Sequence, residues 1–481
     1  MPPAALFPPR DAPATEPDDA ARPPAPPPAI VIDPPRAEPA SAPLPPDIPP
    51  PAPPPPPRSA VPVAQAAARM PTLASLLPDL PPPLPLPTPP PAAPAEPRID
   101  SFSECRDLAR GAVAVAQPGF WGSQTLRLVM APAAVRPAPP PLLSGTEYFT
   151  NEGFRGWHRE PRPLPALEVA CSFVADAIVS GPGHVWIGGA LVTAPEIMPA
   201  YVRADHNIPA AGAALLDVHA LPLREIAEPC VLLAGHGLHV YGHFMIELLF
   251  RVLLMRRLLR GSGLAVRWLL DADSPAWLLR ILHADLGIPP AEIEFFRPAE
   301  ERVRLRQAIL AGLVHDDNGF HPYADLLVED LLASVSPLPE VAPASRLFVA
   351  RHGFRNLHSV LRNCRNEAAL IALAEARGFI TVAPETLPWR QQLALFRHAA
   401  IIAGTFGSAL HTALVAPAGT RIGVVGTLNA AQSEIAALRR HRLAYLTEGF
   451  AFEGQYEVPE ATFAAFLDAL CDPAAEGVQA A

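Results

Sequence analysis

Proline placement limits what this chain can fold into more than any other feature. More than half of its 66 prolines fall within residues 1–98, in runs such as 53–57 and 81–83. Proline lacks an amide hydrogen and holds φ fixed, so such runs enter neither a helix interior nor a central strand. Residues 1–98 are therefore expected to form a disordered tail of polyproline-II character. The remaining chain, rich enough in apolar residues for a sizeable core, begins near residue 99.

From 99 to about 225 the pattern is one of short strands and turns, with runs at 167–173, 177–180 and 184–187 punctuated by Gly181, Pro182 and Gly183. From 231 it alternates. Strands are expected at 231–234, 266–270, 293–296 and 307–311, and helices at 241–259 and 274–286. After a proline-rich linker at 337–344, strands are expected at 347–350, 379–382, 399–403 and 421–425, with helices at 366–377, 388–398 and 408–415. Alternating strand and helix implies α/β parallel sheets covered on both faces. Two such units imply two facing Rossmann-like lobes with a ligand cleft at the carboxyl ends of their strands. The expected division is a tail (1–98), a β-rich entry part of the N-terminal lobe (99–230), the N-terminal Rossmann-like lobe (231–340), a C-terminal Rossmann-like lobe (341–440) and a C-terminal strand, helix and tail (441–481).

Charge narrows the partners. A formal net charge of −10 and a pI near 5.8 weigh against nucleic acid and anionic membranes as nonspecific partners. The five cysteines, Cys105, Cys171, Cys230, Cys364 and Cys471, are scattered without a C-x-x-C pair. That argues against a disulfide framework or structural zinc and fits a reducing cytoplasm. The amino terminus lacks the basic start and apolar run of a secretory signal. The apolar stretch 244–255 is interrupted by Glu247 and Arg251 and falls short of the ~20 residues of a membrane span. Peripheral association with the inner membrane surface stays open, as does the oligomeric state.

Four groups of residues could carry chemistry. Gly404, Gly407 and Ser408 lie in a small-residue segment, 404–411, between a strand and a helix, where backbone N–H groups and a helix dipole suit a pyrophosphate. Arg351 ends a strand and belongs with Arg355, Arg362 and Arg365 to a cluster suited to phosphate. His239, His243 and Glu247 share a helical face if the helix starts early, but His239 and Glu247 would stand ~12 Å apart along it, too far for one metal ion. His243, oriented by Glu247, then reads as a general base or a ligand contact. Asp271 and Asp273 follow a strand and could hold a divalent ion, although Asp273, Ser274 and Pro275 also read as a helix start.

In order and spacing, these segments resemble glycosyltransferase family 61. The resemblance is carried by Tyr241, Gly242, His243 and Phe244 with Glu247, by the strand 347–351 ending in Arg351, by Arg365, Asn366 and Glu367, by 379–385 with the following helix, and by 403–410 with the turn 417–419. The sequence departs from the family pattern at 406–408, Phe-Gly-Ser in place of His-Gly-Ala, and at Gly426. The resemblance implies a GT-B fold and an inverting transfer from a nucleotide sugar, taken as UDP-linked, to a glycan or polysaccharide acceptor. It implies no obligatory metal and no resident cofactor. On it, Arg351, Gly407 and Ser408 would bind the donor diphosphate, Arg365 and Gly404 would also belong to the donor site, Glu385 would take the nucleoside side, and His243 with Glu247 would supply the base. The alternative readings are a metal-dependent transferase or hydrolase built on Asp271, Asp273, His243 and Glu247, and a degenerate, non-catalytic binding protein.

Overall fold

The structure, a computed structural model, describes residues 125–166, 168–181, 183–187, 190–192, 221–235, 237–260, 264–316, 319–341, 345–351, 364–427, 430–449 and 456–476. The expected tail and the residues Arg355 and Arg362 lie outside them. What is described is mixed α/β, with two large sheets.

The first sheet is built from β1 (Thr125–Ala131), β4 (Val169–Ser180), β5 (His184–Ile187), β6 (Ala190–Leu191), β7 (Leu223–Leu232), β8 (Arg267–Asp271), β9 (Ile293–Phe296) and β10 (Arg302–Ala311); β2 (Ala134–Val135) and β3 (Pro165–Ala166) form a separate small ribbon. Its order is β6-β5-β4-β10-β7-β8-β9, with β1 on β4. The β10, β7, β8 and β9 strands run parallel, and β4 pairs antiparallel to β10. Two strands are longer than expected. β10 begins at Arg302, not 307, because its first half alternates Arg302, Val303, Arg304, Leu305, with the apolar members buried and the arginines on the opposite face. β7 likewise begins at Leu223 and carries Glu225 and Glu228 before reaching its apolar end.

The second sheet holds β13 (Arg346–Val349), β14 (Ile380–Val382), β15 (Ile401–Thr405), β16 (Arg421–Val425) and β17 (Arg442–Leu446). All its pairings are parallel, in the order β14-β13-β15-β16-β17. Strand order therefore reverses between β13 and β15, which creates a switch point at their carboxyl ends. Its fifth strand, β17, comes from beyond residue 440.

Helices cover both sheets. α1 (Glu152–Arg159) starts at an Asn151 cap whose side chain accepts from the Phe154 amide. α2 comprises Tyr241–His243, one wider π turn at Phe244–Leu248, and Leu249–Leu259. It is apolar nearly all round, and Phe244, Met245, Leu249, Phe250, Val252, Leu254 and Met255 are fully buried, so it is a core helix. The other helices are α3 (Ala276–Arg280), α4 (Tyr323–Ser334), α5 (Glu367–Glu375), α6 (Trp389–His398), α7 (Ala430–Arg439) and α8 (Glu460–Cys471). One apolar cluster runs continuously from β4 and β7 through α2 to α6, α7 and the 3-10 helix Ser408–Val415. A second cluster packs α5 and α8 on the other face of the parallel sheet. Among the described residues no helix is long and apolar enough to cross a membrane, and Cys171, Cys230, Cys364 and Cys471 are free.

Two buried histidines tie stability to pH. Burial is the main cause that holds His411 and His441 at pKa values of about 4, and neighbouring cationic groups add to it. An unfolded histidine titrates near ~6.5, so the depressed folded values contribute stability above that pH. It is lost as pH falls from ~6.5 through about 4. Urea denaturation should give a stability that falls over this window, and His441→Asn should flatten the fall; a slope unchanged in that variant would contradict the assignment.

Candidate active site

Chain entry into α2 builds the first half of the site. β7 ends at Leu232, and the next residues cross toward β8, where the Leu233 and Ala234 amides both donate to the Leu269 carbonyl. Gly237 then turns the chain with φ of +81°, a conformation that favours glycine, and a Cβ there would stand 2.6 Å from the His243 ring. His239 falls in this turn, exposed and outside the helix, so it does not share a face with His243 and Glu247. Within α2, His243 Nδ1 lies 2.8 Å from Glu247 Oε1, with the imidazole 32% exposed and the carboxylate 9% exposed. His243 immediately precedes the π turn and Glu247 lies on it, a feature that often marks functional positions in helices. With Glu247 ionised, Nδ1 carries the proton and Nε2 keeps its lone pair, which is the state a general base needs.

The switch point of the parallel sheet builds the second half. β13 leads to Arg351 and β15 to Phe406, Gly407 and Ser408. Glu367, buried at the start of α5, joins the two strand ends: its Oε1 accepts from the Arg351 amide at 2.8 Å and from Thr405 Oγ1 at 3.1 Å. The Arg351 side chain crosses to donate to the Phe406 carbonyl at 2.8 Å. Its guanidinium then lies on Gly407, where a Cβ would come within 2.7 Å of Nη1. A side chain at 407 would displace the arginine from this turn.

The two halves meet at Gly242. A Cβ on residue 242 would stand 2.8 Å from Ser408 Oγ and 3.1 Å from His411 Nδ1. The start of α2 is thus laid directly on the turn that follows β15. Tyr241 fixes it there. Its hydroxyl lies 3.0 Å from Thr412 Oγ1, receives the Trp389 indole N–H at 3.2 Å and reaches Gln392 Oε1 at 3.4 Å. The ring packs against Trp277 and Phe244, so both ends of this tyrosine are held.

The structure therefore pairs His243 with Glu247, lays Arg351 on Gly407, and sets Gly242, the residue before His243, against Ser408. Gly404 lies inside β15, where a Cβ would meet the Val349 carbonyl at 2.6 Å, and its smallness serves strand packing. Glu385 stands exposed in the turn Pro384–Thr386 after β14, at the carboxyl edge of the same sheet. Partial desolvation, with the charge of Glu367 adding to it, raises its pKa. Arg365 is exposed in the turn before α5, where its amide donates to the Tyr456 carbonyl at 2.8 Å. Asp271 ends β8 and is buried; desolvation first, and Asp273 second, push its pKa up to about 7. Asp273 itself is exposed. Asp271, Asp273, His243 and Glu247 do not converge, and among the described residues no group of three histidine, cysteine, aspartate or glutamate side chains is placed to hold a metal ion.

Sequence reasoning gave no role to Glu367, Tyr241 or His411, although Glu367 and Tyr241 stand within the segments that carry the resemblance and His411 ends the 404–411 segment. Their contribution depends on partners far away in the chain, such as Thr405 for Glu367 and Trp389 for Tyr241.

Residues 241–423 match the family described as Glycosyltransferase 61. The match begins at Tyr241 and takes in every residue discussed above for the dyad, Arg351 and the 404–411 segment. No curated protein matches the chain.

The Gly242 contact is directly testable. Gly242→Ala should lower stability to urea by ~1–3 kcal/mol, the usual cost of overpacking, and Ser408→Gly placed in the same chain should recover part of the loss. Unchanged stability in Gly242→Ala would show that the helix start does not lie on the turn.

Proposed function

From the match of residues 241–423 to the Glycosyltransferase 61 family, we propose that the chain moves a sugar from a nucleotide-sugar donor, UDP-linked by preference, to a glycan acceptor with inversion at the anomeric carbon. The architecture that suits this reading is a GT-B one, with the first sheet in an acceptor-side lobe and the parallel sheet in a donor-side lobe. The observation that carries the proposal is the contact of Gly242 with Ser408. It sets a histidine–glutamate dyad beside a strand-to-helix turn lined by an arginine.

In the proposed reaction the donor diphosphate lies along 407–409, where the 3-10 helix Ser408–Val415 begins. The Arg351 guanidinium, already lying on Gly407, supplies the opposing positive charge. Arg365 extends this charge at the start of α5. Glu385, at the rim, accepts from the nucleoside. His243 Nε2 takes the proton of an acceptor hydroxyl as its oxygen attacks the anomeric carbon, and the nucleoside diphosphate departs with the bonding electrons. Glu247 holds the imidazole in the tautomer that leaves Nε2 unprotonated. No resident cofactor is needed for this displacement. Acidic pI and scattered free cysteines favour a cytoplasmic setting, at the inner membrane surface when the acceptor is lipid-linked.

Nucleoside diphosphate release from a panel of UDP- and GDP-sugars tests the proposal. Wild-type turnover should survive EDTA. It should fall by ~10²–10⁴ in His243→Ala, the range for loss of a general base, and Arg351→Ala should weaken donor use. Near-normal transfer by His243→Ala would remove the base assignment, and loss of release with EDTA would bring back a metal-dependent mechanism.

A further inference from the structure

A second histidine–glutamate pair lies behind the first. His315 is on the hairpin formed by β11 (His315–Asp316) and β12 (Gly319–Phe320), and its Nε2 is 2.8 Å from Oε2 of Glu434 on α7. Both side chains are nearly buried, at 9% and 12% exposure. The pair joins an element that follows the first sheet to a helix that covers the second. It is held from both ends. Arg136 binds Asp316 at 2.6 Å and also donates to the Gly319 carbonyl, so the hairpin carboxylate has its own cation. Gly319, at φ of +109°, closes the hairpin against the Glu434 side chain.

This pair reaches the dyad by two routes. Phe320 packs at a tilt against the His315 ring at 4.4 Å between centroids and against Phe250 of α2 at 5.4 Å, so the hairpin packs one turn beyond Glu247. His315 also interacts electrostatically with Glu247 on α2 and with His411 on the 3-10 helix, and His411 in turn with His243. The titratable groups facing His315 are therefore Glu434 from α7, Glu247 from α2, His411 from the 3-10 helix and its neighbour Asp316. A nearly buried carboxylate such as Glu247 is costly to keep ionised unless positive charge stands near it.

Resting on the general-base reading above, we propose that His315, gripped by Glu434, is a positioning residue for the His243–Glu247 dyad: its cationic ring keeps Glu247 ionised and in place. Glu247 can then hold the His243 Nδ1 proton, while Nε2 faces the acceptor. Burial opposes the charge on His315, but the Glu434 hydrogen bond and charge, with smaller contributions from Glu247 and Asp316, outweigh it and raise its pKa above the ordinary imidazole value. His411 stays neutral over the same range. The cation is present below the raised pKa of His315 and lost as pH rises through it.

The test reads His315 first, without any sugar donor. In full-length protein labelled with ¹⁵N-histidine, the His315 resonance is identified by its loss in His315→Gln, and its titration is followed by NMR. Its midpoint should lie above ~6.5 and fall in Glu434→Gln. It should also fall in Glu247→Gln, because coupled groups shift one another. A purely structural hairpin would leave the midpoint unmoved by Glu247→Gln, and that result would overturn the proposal. In the transfer assay His315→Gln should lower kcat roughly tenfold with little change in donor KM, and kcat equal to wild type would also overturn it. Full activity in His243→Ala would instead defeat the general-base reading, and the NMR coupling would still report on His315 and Glu247 separately.

Discussion

Everything at the site depends on how α2 begins. Its first residues, Tyr241, Gly242 and His243, are pressed onto the turn after β15, and a side chain at 242 would have to push Ser408 Oγ aside. The phenol of Tyr241 takes its hydrogen bonds from α6 and the 3-10 helix, so the helix start is registered against the parallel sheet as firmly as against its own. From that registration follow the place of His243, next to the residue that lies on Ser408, and the place of Glu247 one turn further on. The apolar cluster beneath is continuous across the same contact, which makes the register a packing constraint as well as a polar one.

Electrostatics divides the buried polar groups around this contact into those that are charged and those that are kept neutral. Glu367 accepts from an amide and a hydroxyl, the hydrogen-bond partners that a buried carboxyl oxygen requires. His411, against Gly242, is driven neutral by burial. His315 has Glu434 and keeps its proton more tightly than an ordinary histidine. The halves are further joined at the surface by Arg439 of α7, which is buried and binds Asp325 and Glu329 of α4. Removing either acidic partner would leave part of a buried guanidinium uncompensated, so these contacts specify the relation of α4 and α7 more than they add stability.

Much of this was legible in the sequence. Period and punctuation located four of the five parallel strands of the second sheet within one or two residues, because each is a short apolar run bounded by helix caps or glycine. The dyad was legible too, since a four-residue spacing on a helix brings two side chains together whatever the fold. The missing parts were those decided by distant partners. The expected strands omit the polar halves of β7 and β10, whose buried face depends on a neighbouring strand. Glu367 and Tyr241 gave no sign of Thr405 or Trp389. His315 and Glu434 are 119 residues apart, and no local pattern marks either. Asp271 looked like half of a metal motif, whereas its neighbour Asp273 turns out to solvent.

Hydrogen–deuterium exchange of the full-length protein, with and without UDP or GDP, tests the central claim that these two segments form one site. Slowed exchange should appear together in peptides spanning 404–412 and 241–248, because a diphosphate on the turn would also restrain the helix start lying on it. Protection confined to the first of these, or appearing only elsewhere, would contradict a shared site and separate the dyad from the phosphate-binding turn.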